Sequence, residues 1–188
     1  MKTLIKLGIS TIILSIASYV IIQVPSVQDR IMVSVVSGMA NTFGKLTKED
    51  ALSVAVCGSR SPIPSPGRAE TCMLVQAGEE MFVVDIGDGS NANLQNWGID
   101  YSKINSVLLT HLHSDHIADL PNLHQGAWIL QSRKDKLKVY GPEGVVIVTQ
   151  GIEMAYGLDY QFRNEHHGDG IAPREYAGFD TRTIDLNN

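Results

Sequence analysis

The chain has 188 residues, 44% of them apolar, with a formal net charge of −5. That length is one domain's worth and is enough to bury a real core. The acidic balance, without a run of like charges, argues against a nucleic-acid partner held by bulk charge.

The N-terminus stands apart. Residues Leu7 to Val24, LGISTIILSIASYVIIQV, carry no charge and follow Lys2 and Lys6. At 1.5 Å per residue they nearly span a bilayer core, and Leu4 and Ile5 extend the reach. The segment 1–25 therefore reads as a transmembrane helix, an uncleaved signal anchor. The lysines would stay in the cytoplasm and the soluble domain would be periplasmic or extracellular. The alternative is a cleaved signal peptide and a secreted chain, but the nearest small-x-small site, GMA at 38–40, lies far beyond the apolar run. Residues 26–51 read as a connector, and 52–188 as the globular part.

LSVAVCG (52–58) reads as a strand ended by Gly58, and SPIPSPG (61–67) as a loop that cannot pair as an inner strand. TCMLVQA (71–77) and EMFVVDI (80–86) are strands joined by the hairpin signal Gly78-Glu79. Ser90 is a candidate helix cap, with Gly98 as the stop. INSVLLT (104–110) is a buried strand, and residues 114–131 look helical, interrupted at Pro121. SRKDKLK (132–138) reads as a solvated helix end, KLKVYG (136–141) as a strand, and the stretch from Pro142 as a helix. After Gly157 the periodicity fades. Strands first, then strand–helix alternation, give an α+β layered domain. Cys57 and Cys72 bracket the proline loop. They are either a disulfide, chemically allowed in an exported domain, or two buried thiols.

The densest chemistry is LLTHLHSDHIADLP (108–121). His111 and His113, two apart at a strand end, can point their rings the same way. Asp115 and His116 follow where the chain turns into a helix. Three imidazoles and a carboxylate within six positions suit Zn2+, with Mn2+ or Fe2+ as alternatives. Two such ions would divide them, His111 and His113 on one, Asp115 and His116 on the other, and make water reactive toward an ester. His124, early in the following helix, reads as partly exposed.

This H-x-H-x-D-H pattern resembles the metallo-β-lactamase fold. VVDIGDG (83–89) looks like the family's earlier Asp-x-Gly-x-Gly turn, and CGSRSPIPSPGRAETC (57–72) like the opening loop of its ribonuclease Z and arylsulfatase-like branch. Asp119 and Leu120 after the ligands, and VYGPEGV (139–145), fit the same branch. The resemblance implies a four-layered αββα sandwich with a di-metal hydrolase site at its rim. In that site Asp85 would bond a ligand imidazole or tie down the metal loop, and Asp115 would be catalytic, orienting the attacking water. His166 and His167 would be pocket residues from a histidine-rich loop. The family's remaining ligands come from later strands, so the chain reads as the N-terminal portion of the sandwich, and its activity alone is in doubt.

The leading expectation is a di-zinc hydrolase of sulfate or phosphate esters, with a small ester substrate, held at the membrane. The alternatives are a ribonuclease Z-type tRNA 3′-processing endonuclease and an inactive, membrane-tethered fragment.

Overall fold

The computed structural model describes Thr11, residues 14–24, Val27, 51–130 and 133–185. The chain divides into two compact units, Met1–Phe43 and Gly44–Asn188.

In the first unit, Thr11 and residues 14–22 are helical, and Leu14, Ile16 and Tyr19 are exposed. Among the described residues no helix is long and apolar enough to cross a membrane, which corrects the transmembrane expectation. The physical reason is length: nine consecutive helical residues rise roughly 13 Å against a ~30 Å hydrocarbon core. The remainder of that expectation, 1–10, 12, 13 and 25, and nearly all of the 26–51 connector lie outside the described residues. The expected membrane anchor and periplasmic or extracellular placement rested on that helix, which the described residues do not provide.

The second unit is built on one six-stranded sheet in the spatial order β1 (Leu52–Gly58), β2 (Cys72–Ala77), β3 (Glu80–Ile86), β4 (Ile104–Leu108), β5 (Leu137–Gly141) and β6 (Phe179–Thr183). The first three strands run antiparallel, and the turn at Gly78 takes a positive φ of 60° as the hairpin requires. From β3 onward the pairings are parallel. Between the parallel strands lie α1 (Ser90–Asn96), α2 (Ser114–Ile117), α3 (Leu120–Gln125) and α4 (Val145–His167).

Period-two alternation sends Leu74, Val83, Val107 and Val139 to one face, where the register sets Leu74 beside Val83, Val83 beside Val107 and Val107 beside Val139. Leu94 of α1, Leu120 and Leu123 of α3 and Val145 of α4 join them in one core. On the other face Val54, Val56 and Met73 stay exposed. Among the described residues the architecture is thus one sheet with its helices on one face, two of the four layers expected. Cys57 and Cys72, both buried, form a disulfide that joins the end of β1 to the start of β2.

Local expectations fail where tertiary contacts intervene. Ser90 is the first helical residue rather than a cap, and its hydroxyl donates to the Glu70 carbonyl. Pro121 does interrupt the helix, separating α2 from α3 and sitting in the first turn of the latter. Helix α4 runs through Gly151 and Gly157 to His167, where Gly168 ends it with φ 71°. Arg133, read as solvated, is buried, and its guanidinium donates to the Ile104 carbonyl and pairs with Asp135.

Candidate metal centre

The site forms where β3 and β4 end side by side. Val84 lies opposite Leu108 in the last parallel rung, so each chain leaves the sheet at the same edge. Asp85 follows immediately and is 2% exposed. Its φ of 57° makes it the only non-glycine residue with a positive value among those described. Aspartate tolerates that conformation better than most residues, yet it is strained, and strain of this kind gathers at functional sites.

That backbone turn aims the carboxylate at the β4 exit. Thr110 donates its backbone N–H to Oδ1 and its hydroxyl to Oδ2, both at 2.8 Å. Oδ2 also lies 2.9 Å from Nδ1 of His116, although that nitrogen is buried and has no aligned hydrogen bond. On the far side of the same ring, Nε2 of His116 stands 3.5 Å from Oδ2 of Asp115, itself 5% exposed. One imidazole is thereby placed between two buried carboxylates. His111 completes the cluster, its ring centroid 3.9 Å from that of His116 and 4.7 Å from that of His113.

The floor is a close backbone contact. A Cβ at Gly87 would lie 2.1 Å from the Asp115 carbonyl and 2.5 Å from Cβ of Glu70, so only glycine lets this turn pass beneath α2. Glu70 holds the turn in place: it accepts from the backbone N–H of Asp88 at 3.1 Å and pairs with Arg60 at 3.2 Å. Behind α2, Asp119 is buried and accepts from the Asn91 backbone and the Asn122 side chain, at 3.0 and 2.8 Å.

Does this donor set fit a divalent cation? Two ligands at 2.0–2.1 Å from a tetrahedral ion stand about 3.3 Å apart. The 3.5 Å between His116 Nε2 and Asp115 Oδ2 matches that spacing. Imidazole and carboxylate are also the donor types zinc takes, and the paired carboxylates around His116 call for positive charge. Among the described residues, however, no three His, Cys, Asp or Glu side chains converge as a ready-made ligand set. The residues fit a cation in chemistry and in one donor pair.

The remaining histidines go elsewhere. His166 and His167 lie exposed in the last turn of α4, with ring centroids 4.6 Å apart. The helix begins beside the site, where Gly144 approaches Leu112, and roughly 33 Å of axial rise separates Val145 from His167. His124 is fully buried, not partly exposed. Its Nε2 accepts the Gly178 N–H at 2.8 Å, and burial lowers its pKa from 6.5 to about 4. Sequence reasoning missed Thr110 and Glu70 as supports. Only their nearness to the Asp85 turn and the histidine run could have pointed to them.

Comparison with known proteins follows from this geometry. A family model described as Anti-Pycsar protein Apyc1 matches residues 56–148, a span that holds Asp85 and the whole 111–116 cluster. The chain is 38% identical over 124 residues to ribonuclease Z of Mycobacterium marinum, covering 65% of this chain and 44% of that protein. Its structure aligns with the metallo-β-lactamase fold protein YhfI from Bacillus subtilis at a TM-score of 0.51 and 22% identity, over 74% of this chain and 48% of that one. This chain has the metallo-β-lactamase fold. A long-form ribonuclease Z from yeast aligns at a TM-score of 0.53 and 13% identity, over 72% of this chain and 18% of that one.

The chain spans less than half the length of the Mycobacterium marinum relative. The ribonuclease Z relatives speak against the expectation that nucleic acid is an unlikely partner, and they leave the expected small ester substrate without support. The acidic net charge carried that expectation, yet a sum over 188 residues says nothing about local surfaces.

Proposed function

We propose that this protein belongs to a divalent-metal-dependent hydrolase of RNA phosphodiester bonds, of the ribonuclease Z type. The observation that carries the reading is His116 held between Asp85 and Asp115 at the shared exit of β3 and β4. Identity of 38% to a ribonuclease Z supports RNA over a sulfate ester as the substrate.

His111, His113, Asp115 and His116 would hold the metal, with Zn2+ the best match to their donor types. When bound, it would supply Lewis acidity, polarising a phosphoryl oxygen and making water acidic enough to react near neutral pH. The chain's own residues do the rest. Asp85, 2.9 Å from Nδ1 of His116, would hold a proton on that nitrogen and leave Nε2 to face the metal. Thr110 in turn fixes Asp85, so the metal loop is tied to the end of β4. Asp115 would accept hydrogen bonds from the attacking water and orient it for in-line displacement.

The test loads the 188-residue chain with zinc and offers a precursor tRNA that carries a 3′ trailer. Trailer release that stops with a chelator and returns with zinc is the expected result, together with zinc affinity reduced roughly 10–100-fold in Asp85→Asn. Cleavage that ignores the chelator, or a chain that takes up no zinc, would overturn the reading. Zinc binding without turnover would instead fit a non-catalytic form of the fold.

A further inference from the structure

A groove of about 220 Å³ opens on the helical side of the sheet, behind the metal loop, between α1, α3 and α4. Its lining is unusual in chemistry: four carboxamides from Asn91, Gln95, Asn122 and Gln125, the guanidinium of Arg163, and Ile129. A solvated crevice between helices has no need of so many uncharged amides with fixed orientations.

Two of the orientations, those of Asn122 and Gln125, are fixed by buried or shared carboxylates, which can only accept. Asn122 spends its amide nitrogen on Asp119 at 2.8 Å, and its oxygen makes no hydrogen bond among the described residues. Gln125 spends its nitrogen on Asp159 at 2.9 Å, which likewise leaves an oxygen. Asn91 is 7% exposed, and its Oδ1 takes the Tyr101 hydroxyl at 2.9 Å. That hydroxyl also reaches the Asn91 carbonyl at 3.1 Å, and no carboxylate dictates which end of this amide faces the groove. Gln95 makes no side-chain hydrogen bond among them and can present either end. Arg163 commits only Nε to Asp159, at 2.8 Å, and keeps both terminal nitrogens.

We propose that this groove is a nucleotide-binding site, distinct from the metal centre, with the base on the carboxamides and the phosphate on Arg163. Two outward acceptors on Asn122 and Gln125 require ligand N–H groups, while either Asn91 or Gln95 can turn a donor toward the ligand. A planar edge that carries an amino group beside a ring acceptor satisfies all three, as adenine and cytosine do and uracil does not. Ile129 offers an apolar surface to the ring. Arg163 is a terminal fork suited to a phosphate.

The groove's lining follows the metal-site residues in the chain. Asn91 follows Asp85 by six residues and Asn122 follows His116 by six. An RNA strand engaged at the metal centre could set a neighbouring nucleotide here, and only this RNA arm of the inference rests on the hydrolase reading. A free mononucleotide offers the same chemistry.

Calorimetric titration of the full chain in excess chelator separates the groove from the metal centre. The probes are AMP, CMP, UMP, inorganic phosphate and a short oligoadenylate. AMP and CMP should bind saturably, and UMP several-fold more weakly. Gln95→Glu, an exposed position, should weaken AMP roughly tenfold with an unchanged melting temperature, and Arg163→Gln should do likewise. Tighter binding of the oligoadenylate than of AMP would mark a strand site, and equal binding a mononucleotide site; either upholds the groove. Three results would remove it: no saturable AMP or oligonucleotide binding, phosphate alone binding as well as AMP, or an equal loss in the control Lys103→Ala, a residue outside the lining. Zinc-dependent RNA cleavage without nucleotide binding in chelator would retain the hydrolase and discard the groove.

Discussion

His124 couples the stability of the helical layer to pH. Its ring is buried against Trp128, Tyr160 and Phe179, with centroid distances of 5.9, 5.2 and 4.9 Å. Burial is the first cause of its lowered pKa, about 4 in place of 6.5, and nearby Lys136 and Arg133 add to the lowering. The Gly178 N–H pointed at Nε2 leaves no room for a second proton there. A folded pKa below the unfolded one means that the unfolded chain binds more protons between pH 4 and 6.5. The contribution to stability is therefore fully present above about pH 6.5 and is lost as the pH falls through the window toward 4. The full shift corresponds to about 3 kcal/mol, of which about 2 kcal/mol should disappear between pH 7.5 and 5.

Carboxylates titrate near the lower end of that range, so the measurement is a difference. His124→Gln keeps an acceptor for Gly178 and removes the titration. Urea denaturation of both proteins at pH 7.5, 6.5, 5.5 and 5 should show the wild-type losing stability faster by about 2 kcal/mol across the series. Parallel profiles for the two proteins would refute the reasoning. So would an imidazole resonance of His124 that titrates near 6.5 in the folded chain.

Two further perturbations probe the floor of the metal centre. Gly87→Ala places a methyl inside contact distance of the Asp115 carbonyl and Glu70 Cβ, both parts of packed backbone or its first carbon. We expect a loss of about 2 kcal/mol or more in stability, together with weaker zinc uptake in calorimetry, because α2 must lift to relieve the clash. An unchanged zinc affinity would show that the turn does not set the position of Asp115. Reduction of the Cys57–Cys72 disulfide, which closes a 15-residue separation, should cost about 3 kcal/mol in urea unfolding, and Cys57→Ser/Cys72→Ser should match the reduced protein.

The strands were legible because each carries its own signal. Alternation in residues 72–77 and 80–86, with Gly78 between them, defines a hairpin without help from the rest of the chain. Helix α4 was legible from Pro142 to Gly157 but not in its continuation to His167, since Gly151 and Gly157 sit inside it with nothing near their absent side chains, and its exposed face mixes Ile147, Met154 and Leu158 with polar residues. Strand β6 was missed as well. Its sequence FDTRT is mostly polar, and it pairs on one side only, at the edge beside β5. His124 gives no local hint of burial, for its partner Gly178 is 54 residues away.

The metal loop divides along the same line. His111, His113, Asp115 and His116 were visible together because one short turn supplies them all. Their organisation was not, because it depends on which strand lies next to β4. Parallel pairing of β3 with β4 makes both strands exit at one edge, and in open sheets that edge is where ligands bind. An antiparallel neighbour would have carried the residue after Ile86 to the opposite edge and left Thr110 and His116 without Asp85. The crossover through α1 is what brings a carboxylate from one strand end against the histidines of the next. The strained φ of Asp85 is the local consequence, since the carboxylate must turn back across the edge to reach both Thr110 groups. A chain with the same histidine motif but no such strand ahead of it would carry the donors without the carboxylate that orients them.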